Sequence, residues 1–90
     1  MIDLNTLNPE QRHIEVLRRH GARVGTPDES VELNSYFYYN AIDQVNRIGA
    51  KAITYRLILP GIDEEMAIAI HSDGHVDSGS AESIALVLDR

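Results

Sequence analysis

The fold is decided by residues 52–76, which read AITYRLILPGIDEEMAIAIHSDGHV. Apolar side chains recur at every second position from Ile53 to Leu59 and again from Met66 to Ile70. A period of two is typical of strands that bury one face, because successive side chains point to opposite sides of a sheet. The sequence therefore predicts two half-buried β-strands in this region.

Turn signals follow each of these two strands. Pro60 and Gly61 fit the central positions of a type II turn, whose second residue needs a positive φ. Residues 72–74, Ser-Asp-Gly, fit a three-residue hairpin loop with glycine in the left-handed position. That loop sets Ile70 opposite Val76, so a third strand continues the apolar face. The predicted sheet is a three-stranded antiparallel meander.

Two segments ahead of the strands carry matching helix signals. Asn8 and Pro9 are typical of a helix start and Gly21 of a helix end, so we predict helix 1 over roughly residues 9–20. The same signals, Thr-Pro-Asp-Glu at 26–29 and a glycine at 49, predict helix 2 over roughly residues 27–48. A strand followed by a shorter helix is the alternative for this second segment.

A helical wheel gives helix 2 an apolar arc about 140° wide. Its members are Val31, Phe37, Tyr38, Ala41, Ile42, Val45 and Ile48. Asn34 falls in the middle of this arc. It is either a buried amide that must find hydrogen-bond partners or an uncovered position in the first turns.

The last segment is open to two interpretations. Ser80 as an N-cap favours a helix over Ala81–Asp89, with Ile84, Val87 and Leu88 facing inward. The unbroken apolar run that ends at Leu88 is also typical of a fully buried fourth strand.

These elements predict an α+β fold in one domain over residues 1–90. A chain of 90 residues and 10.0 kDa has room for one core. Two N-terminal helices pack on the three-stranded antiparallel meander, and a C-terminal helix or fourth strand completes the fold. Such a small sheet with one apolar face needs helices to cover it.

Composition excludes several classes of function. The net charge of −6 argues against non-specific nucleic-acid binding, which depends on Lys and Arg neutralising phosphates. The longest apolar runs have five residues, whereas a membrane helix needs about 20, and the first residues lack a signal-peptide pattern. Without cysteine there is no disulfide or thiolate site, and a reducing cytoplasm is the expected location. We expect no cofactor and no contact with nucleic acid or membrane.

Charge is unevenly distributed along the chain. The segment Glu10–Arg23 holds four arginines against two glutamates, although the chain as a whole is acidic. This segment is either a basic binding patch or a solvated helix face with internal ion pairs.

His71 and His75 are the strongest candidates for metal or catalytic chemistry. Across the predicted loop their Cβ atoms lie about 5 Å apart, and Asp77 or Asp73 supplies an oxygen. Two imidazoles and one carboxylate suit zinc or non-haem iron. The pair depends on one loop register, since a two-residue turn would match His71 with Val76 instead. A metal-binding domain or enzyme is therefore the alternative function.

The outer side of helix 2 predicts a protein interface. Leu33, Tyr36 and Tyr39 project there, with Asn40 beside them. Tyrosine carries much of the binding energy in many interfaces, and two-fold pairing of helix 2 would give a homodimer. The alternative is that the sheet or the terminal helix covers these side chains.

A second predicted binding element is the acidic run Asp63, Glu64 and Glu65, in the loop after Gly61. Its charge favours a basic partner. The predicted function is therefore a small acidic non-catalytic protein-binding domain. It includes two more specific forms: self-association, and action as an inhibitor or decoy toward a basic partner.

Overall fold

The computed structural model describes residues 3–26 and 29–89. These residues form a short 3-10 helix, three α-helices and five β-strands. In chain order they are the 3-10 helix Leu4–Thr6, α1 (Pro9–Arg19), β1 (Arg23–Thr26), β2 (Glu29–Glu32), α2 (Ser35–Arg47), β3 (Ala52–Ile58), β4 (Met66–His71), β5 (Val76–Ser80) and α3 (Ala81–Leu88). The fold is α+β, as predicted.

The five strands form one antiparallel sheet in the order β2-β1-β3-β4-β5. The predicted register of the last hairpin is confirmed, because Ile70 lies opposite Val76. The prediction of a three-stranded sheet was wrong, since β1 and β2 extend it beyond β3. Val24 of β1 lies opposite both Leu57 and Val31, so the apolar face continues across the added strands.

The N-terminal part of predicted helix 2 is a strand, as in the alternative interpretation. Residues Glu29–Glu32 pair with β1, and the β-branched Val31 contributes to the apolar face of that pair. Pro27 and Asp28, the predicted first turn of helix 2, lie outside the described residues. The helix-start signal at residues 26–29 does not decide the structure here, because pairing with β1 both hydrogen-bonds the backbone of this segment and buries apolar side chains.

The helix begins at Ser35, because Asn34 is its N-cap. The Asn34 side chain accepts a hydrogen bond from the Phe37 backbone N–H at 2.9 Å. Asn34 is thus a capping residue rather than a member of an apolar arc. The arc itself is present in a shorter form: Tyr38, Ala41 and Val45 are buried, whereas Ile48 at the helix end is exposed.

The helices α1 and α2 cover one face of the sheet, which we call the inner face. Strand alternation places Ile53, Tyr55 and Leu57 of β3 on it, opposite Ile70, Ile68 and Met66 of β4. The core cluster of buried residues joins this face to both helices and comprises Ile14, Ala22, Val24, Leu33, Tyr38, Ala41, Leu57, Ile68, Ile70 and Val76. The inner face therefore supplies most of the hydrophobic stabilisation.

The helix α3 packs against β4 and β5 on the opposite face, which we call the outer face. The helical interpretation of the last segment is confirmed, and Ser80 accepts a hydrogen bond from the Ser83 N–H at 3.2 Å. Of the three side chains predicted to face inward, Ile84 is buried but Val87 and Leu88 are exposed. The molecule has three layers, so the predicted arrangement with one covered face was wrong.

Both predicted turns are present. Gly61 has a φ of 78°, as the second central residue of a type II turn requires. His71 donates its backbone N–H to the His75 carbonyl at 2.8 Å, and Gly74 has a φ of 94°. The three-residue loop therefore sets the register that brings the two histidines together.

The helix α1 matches its predicted boundaries within one residue. Asn8 accepts from the Gln11 N–H at 2.8 Å, and the Gln11 side chain accepts from the Asn8 N–H at 3.3 Å. In the basic segment, the buried carboxylate of Glu15 lies 2.6 Å from Arg18 and 3.2 Å from Arg19. Ion pairs with Glu15 thus neutralise part of the positive charge of this segment.

Candidate functional site

The outer face has two halves that differ in side-chain size. Over β4 and β5 it includes Ala67, Ala69 and Gly79, which leave room for a helix. The helix α3 occupies this half, with Ile84 only 4% exposed. A Cβ built on Gly79 lies 3.9 Å from the Cβ of Ser83, so helix and strand are one small side chain apart.

The other half, over β1 and β3, is open to solvent. Thr54 and Arg56 are exposed on β3. Ile58 packs directly onto Gly25 of β1, where an added Cβ would lie 2.7 Å from the Ile58 Cγ1. Within the described ranges Arg56 forms no hydrogen bond or ion pair. This half therefore combines exposed polar side chains with one apolar contact, that of Ile58 with Gly25.

Three consecutive apolar side chains on α3 are exposed to water. The exposed fractions are 64% for Leu86, 36% for Val87 and 37% for Leu88. A helix that is apolar on most of its circumference is typical of one buried on more than one side. The sheet buries only the side that carries Ile84, so α3 has more apolar surface than its own fold uses.

A groove of about 280 Å³ runs between α3 and β3. The apolar side chains that line it include Ala67, Ile84, Ala85 and Leu88. Arg56 and Glu65 also line it and introduce opposite charges at one site.

A second groove of about 280 Å³ adjoins the first, because Arg56 and Glu65 line both. Ile58, Ile62 and the acidic loop residues 63–65 complete its lining. The Ala81 backbone N–H donates to the Glu65 carbonyl at 3.0 Å, which ties the start of α3 to this loop. We call the two grooves together with the exposed apolar side chains of α3 the outer binding surface; it comprises Arg56, Ile58, Ile62, Asp63, Glu64, Glu65, Ala85, Leu86, Val87 and Leu88.

The patch predicted on helix 2 is only partly assembled. Tyr36, Tyr39 and Asn40 are exposed on α2. Leu33 is fully buried in the core, so its placement on this surface was wrong. The error arose because Leu33 precedes α2 and does not follow the helical wheel. The Tyr39 hydroxyl accepts a hydrogen bond from the Gln11 side chain, which links the remaining patch to α1.

His71 and His75 lie together, with ring centroids 5.3 Å apart. The His71 Nε2 is 2.8 Å from one carboxylate oxygen of Asp77, and the His75 Nε2 is 3.2 Å from the other. Asp73 instead accepts from the His75 backbone N–H at 2.9 Å. Each imidazole is thus oriented by a carboxylate, an arrangement that suits proton transfer when a substrate lies within reach.

The metal interpretation receives no geometric support. Among the residues that the structure describes, no group of three or more His, Cys, Asp or Glu side chains is arranged to hold a metal ion. The Asp77 carboxylate already accepts a hydrogen bond from each imidazole, so its oxygens and the two Nε2 atoms satisfy one another.

His13 of α1 approaches the same end of the sheet from the inner side. Its Nε2 hydrogen-bonds to the Ser78 hydroxyl. Partial burial lowers the pKa of His13; the nearby Asp77 carboxylate opposes this change and His75 adds to it. The neutral imidazole is therefore favoured at neutral pH, where it serves as a hydrogen-bond partner between α1 and β5.

No protein-family model, curated protein or solved structure matches this chain. In residues 3–26 and 29–89, no helix has the length and apolar character needed to cross a membrane. Sequence reasoning missed Leu86 as a functional candidate. The available signal was the apolar run Ile84–Leu88, which is too apolar for a helix with a single buried side.

Proposed function

We propose that this chain is a small non-catalytic protein-binding domain and that the outer binding surface is where its partner docks. The observation that carries this proposal is the exposure of three consecutive apolar side chains on α3, Leu86, Val87 and Leu88, of which Leu88 lines the groove between α3 and β3. Single exposed apolar residues are ordinary on protein surfaces, but contiguous ones beside a concave, polar-rimmed area are typical of interaction sites.

The energetics of burial support a docking role. Transferring an exposed Leu or Val side chain from water into an interface stabilises the complex by about 1.5–3 kcal/mol. The apolar side chains of α3 therefore form the centre of the proposed interface, where most binding energy is concentrated. Arg56 and Glu65 at the grooves fix the orientation of a partner through charge.

The acidic loop supports the more specific form of the proposal, an inhibitor or decoy for a basic partner. Asp63, Glu64 and Glu65 are exposed and adjoin the apolar grooves. Their charge, on a chain of net charge −6, attracts a partner whose basic side chains surround an apolar segment. Such attraction is screened by salt over about 8 Å at physiological ionic strength, so association is expected to slow as salt rises.

Site-specific photo-crosslinking tests the location of the interface. A photoreactive amino acid at position 86 is expected to give discrete adducts in cells that express the full chain. The matched control replaces Tyr36, which is 79% exposed on the opposite side of the molecule. Adducts at position 36 and none at position 86 would contradict the proposal and favour the surface predicted on helix 2.

A metal-binding domain or enzyme using His71 and His75 is the second candidate. What favours it is the placement of two imidazoles, with ring centroids 5.3 Å apart, beside the Asp77 carboxylate; a metal ion or a substrate would have to replace the hydrogen bonds that both rings make to Asp77. Titration calorimetry with Zn²⁺ tests it, with His71→Ala as the matched variant. Saturable binding that His71→Ala abolishes would establish the site; heat that is the same for both proteins would exclude it.

A further inference from the structure

We infer that the free edge of β5 accepts an extended segment of a basic partner protein as an additional strand of the sheet. The strand β5 is the last in the order β2-β1-β3-β4-β5, so only one of its two edges is paired. The free edge lies on the far side of α3 from the grooves that adjoin β3. The inference therefore goes beyond the proposed function, although the partner has the same basic character.

The register of the last hairpin shows which backbone groups point to the free edge. His71 donates its backbone N–H to the His75 carbonyl, so these two residues form a hydrogen-bonded pair. Such pairs recur at every second residue of an antiparallel ladder, which directs the backbone groups of Asp77 and Gly79 to β4. The N–H and C=O of Ser78 therefore point away from β4. In the part of the chain that the structure describes, they have no hydrogen-bond partner.

The edge of β5 lacks the features that keep many natural strand edges from pairing with other chains. Those features include lysine or proline on the edge strand and bulges that twist it away. The strand Val76–Ser80 contains neither Lys nor Pro and pairs with β4 in a continuous register without a bulge. Its one charged side chain, Asp77, already accepts hydrogen bonds from His71 and His75. An incoming strand is therefore free to form the ladder hydrogen bonds of this edge.

Helices pack on both faces of β5. On the inner face is α1, where the His13 Nε2 hydrogen-bonds to the Ser78 hydroxyl. On the outer face is α3, where Ser83 lies against Gly79. Val87 follows Ser83 by about one helical turn and so projects to the same side of α3, where it stays exposed. An added strand would place its alternate side chains beside α1 and α3 and would cover Val87.

A cavity of about 150 Å³ at the start of β5 suits a basic side chain of the added strand. Its lining contains no Lys or Arg and comprises Pro9, Glu10, His13, His75 and Val76. Within residues 3–26 and 29–89 the Glu10 carboxylate has no ion pair, so it is available to a cation. Burial lowers the pKa of His13, so this ring is neutral at neutral pH and does not repel a cation.

The charges around the free edge also favour a basic segment. Asp73 precedes β5 in the hairpin loop and Glu82 follows it in the first turn of α3, and both are exposed. The cations of neighbouring elements are directed elsewhere. Arg12 donates to two backbone carbonyls ahead of α1, and Lys51 lies on the β3 side of β4. A basic segment is thus favoured over a second copy of this acidic chain.

A peptide of alternating charge and apolarity, acetyl-Lys-Val-Lys-Val-Lys-Val-amide, is the probe for this edge. In an extended chain its Lys and Val side chains lie on opposite faces, as the cavity and Val87 require. Titration of the full chain is expected to give saturable binding and to slow solvent exchange of the Ser78 amide hydrogen, measured by NMR. The control peptide, with Glu in place of Lys, is expected not to bind. Absence of saturable binding at about 1 mM of the Lys peptide would overturn the inference.

Ser78→Pro tests whether the backbone of the edge makes the contact. The Ser78 N–H points away from β4, so proline removes a hydrogen bond to the peptide and none within the sheet. Peptide binding is expected to weaken about tenfold. Ser78→Ala is the matched control, because it loses the same hydroxyl contact with His13 but keeps the N–H. Equal weakening by the two variants would overturn the inference.

Backbone methylation of the peptide gives the same test on the wild-type chain, so it does not depend on the folding of a variant. Methyl groups on the backbone nitrogens of the Lys residues block one edge of the extended peptide, and those on the Val residues block the other. Only one edge faces β5, so one methylated peptide is expected to bind and the other is not. Binding by both or by neither would contradict strand addition.

The outcomes separate this inference from the proposed function. Adducts at position 86 without peptide binding would overturn strand addition and leave the outer binding surface standing. Peptide binding that Ser78→Pro weakens, without adducts at position 86, would support strand addition and contradict the outer binding surface. Protection of the Ser78 amide that rises with protein concentration in the absence of peptide would assign the edge to a second copy and overturn the basic partner.

Discussion

The inner and outer faces of the sheet are built from the same alternating strands, but they are covered to different extents. The inner face presents large side chains such as Tyr55, Ile68 and Ile70, and two helices bury it. The outer face presents small or polar ones such as Ala67 and Thr54, and one eight-residue helix covers only half of it. The inner face therefore forms the hydrophobic core, whereas half of the outer face stays exposed to solvent.

The difference shows that the size of the side chains on a strand determines how much apolar surface of the overlying helix is buried. Large inner-face residues interdigitate with α1 and α2 and leave little apolar surface on the helix sides that face them. Small outer-face residues let α3 approach closely but offer little area to bury. Leu86 stays exposed because it lies on the side of α3 opposite the buried Ile84, facing away from the sheet, although α3 is more apolar than either of the other two helices.

The largest expected effect comes from truncating one large side chain on the inner face. Ile68→Ala is expected to lower the free energy of unfolding by about 2–5 kcal/mol, because Ile68 is fully buried and its loss leaves a cavity. Leu86→Ala removes an exposed side chain of the outer layer and is expected to cost less than about 0.5 kcal/mol in the monomer. Urea unfolding of both variants at low protein concentration measures the contrast. Equal losses of unfolding free energy in the two variants would mean that Ile68 and Leu86 contribute equally to stability.

A smaller effect is expected from the ion-paired carboxylate on α1 in the inner layer. The Arg18 hydrogen bond lowers the pKa of Glu15, and Arg19 adds to this although burial opposes it. Because the folded-state pKa lies below the ordinary value of 4.5, the stabilisation is present above that pH and is lost as the pH falls through the folded pKa. Glu15→Gln is expected to cost about 1.5 kcal/mol at neutral pH and to flatten the acid limb of the stability profile.

The control for that measurement is Glu64→Gln, because Glu64 is exposed in the acidic loop. Its stability profile between pH 3 and 7 is expected to match wild type closely, since an exposed carboxylate contributes little. A profile of Glu15→Gln that is as steep as that of wild type would show that the Arg18 contact does not stabilise the fold.

The smallest effect is expected at the hairpin end of the sheet. Hydrogen bonds from His71 and His75 already occupy the Asp77 carboxylate, so a chelator is expected to leave the melting temperature of the purified chain unchanged. Differential scanning calorimetry with and without EDTA measures this. A clear decrease on chelation would mean that a metal stabilises this end of the sheet, and the second candidate function would then take precedence.

Much of the sheet could be predicted because its signals are local. The register Ile70–Val76 follows from a three-residue loop, and the caps at Asn8 and Ser80 follow from side chains within one turn of the helix start. The strand β2 could not be predicted in the same way. Thr26 and Gly49 looked like the two ends of a helix, and the competing cap at Asn34 became evident only when the preceding residues were paired in a strand.

The residues of the candidate site also differ in whether local sequence signals predict their exposure. Exposure of Asp63, Glu64 and Glu65 follows from a turn at Gly61 and a run of charge, both readable along the chain. The burial of Leu33 and the exposure of Val87 and Leu88 do not, because each depends on which distant part of the chain lies against the residue.

By itself, the sequence determined the alternation of the strands, the turns and most of the helix ends, since these depend on backbone preferences and on contacts between near neighbours. The tertiary structure decided which strands pair, which face α3 covers and how much of it remains exposed. Val24 meets Leu57 only after the chain has returned across the sheet. Such long-range contacts select one arrangement among several that local preferences allow, because only the complete fold determines which apolar surface is left over.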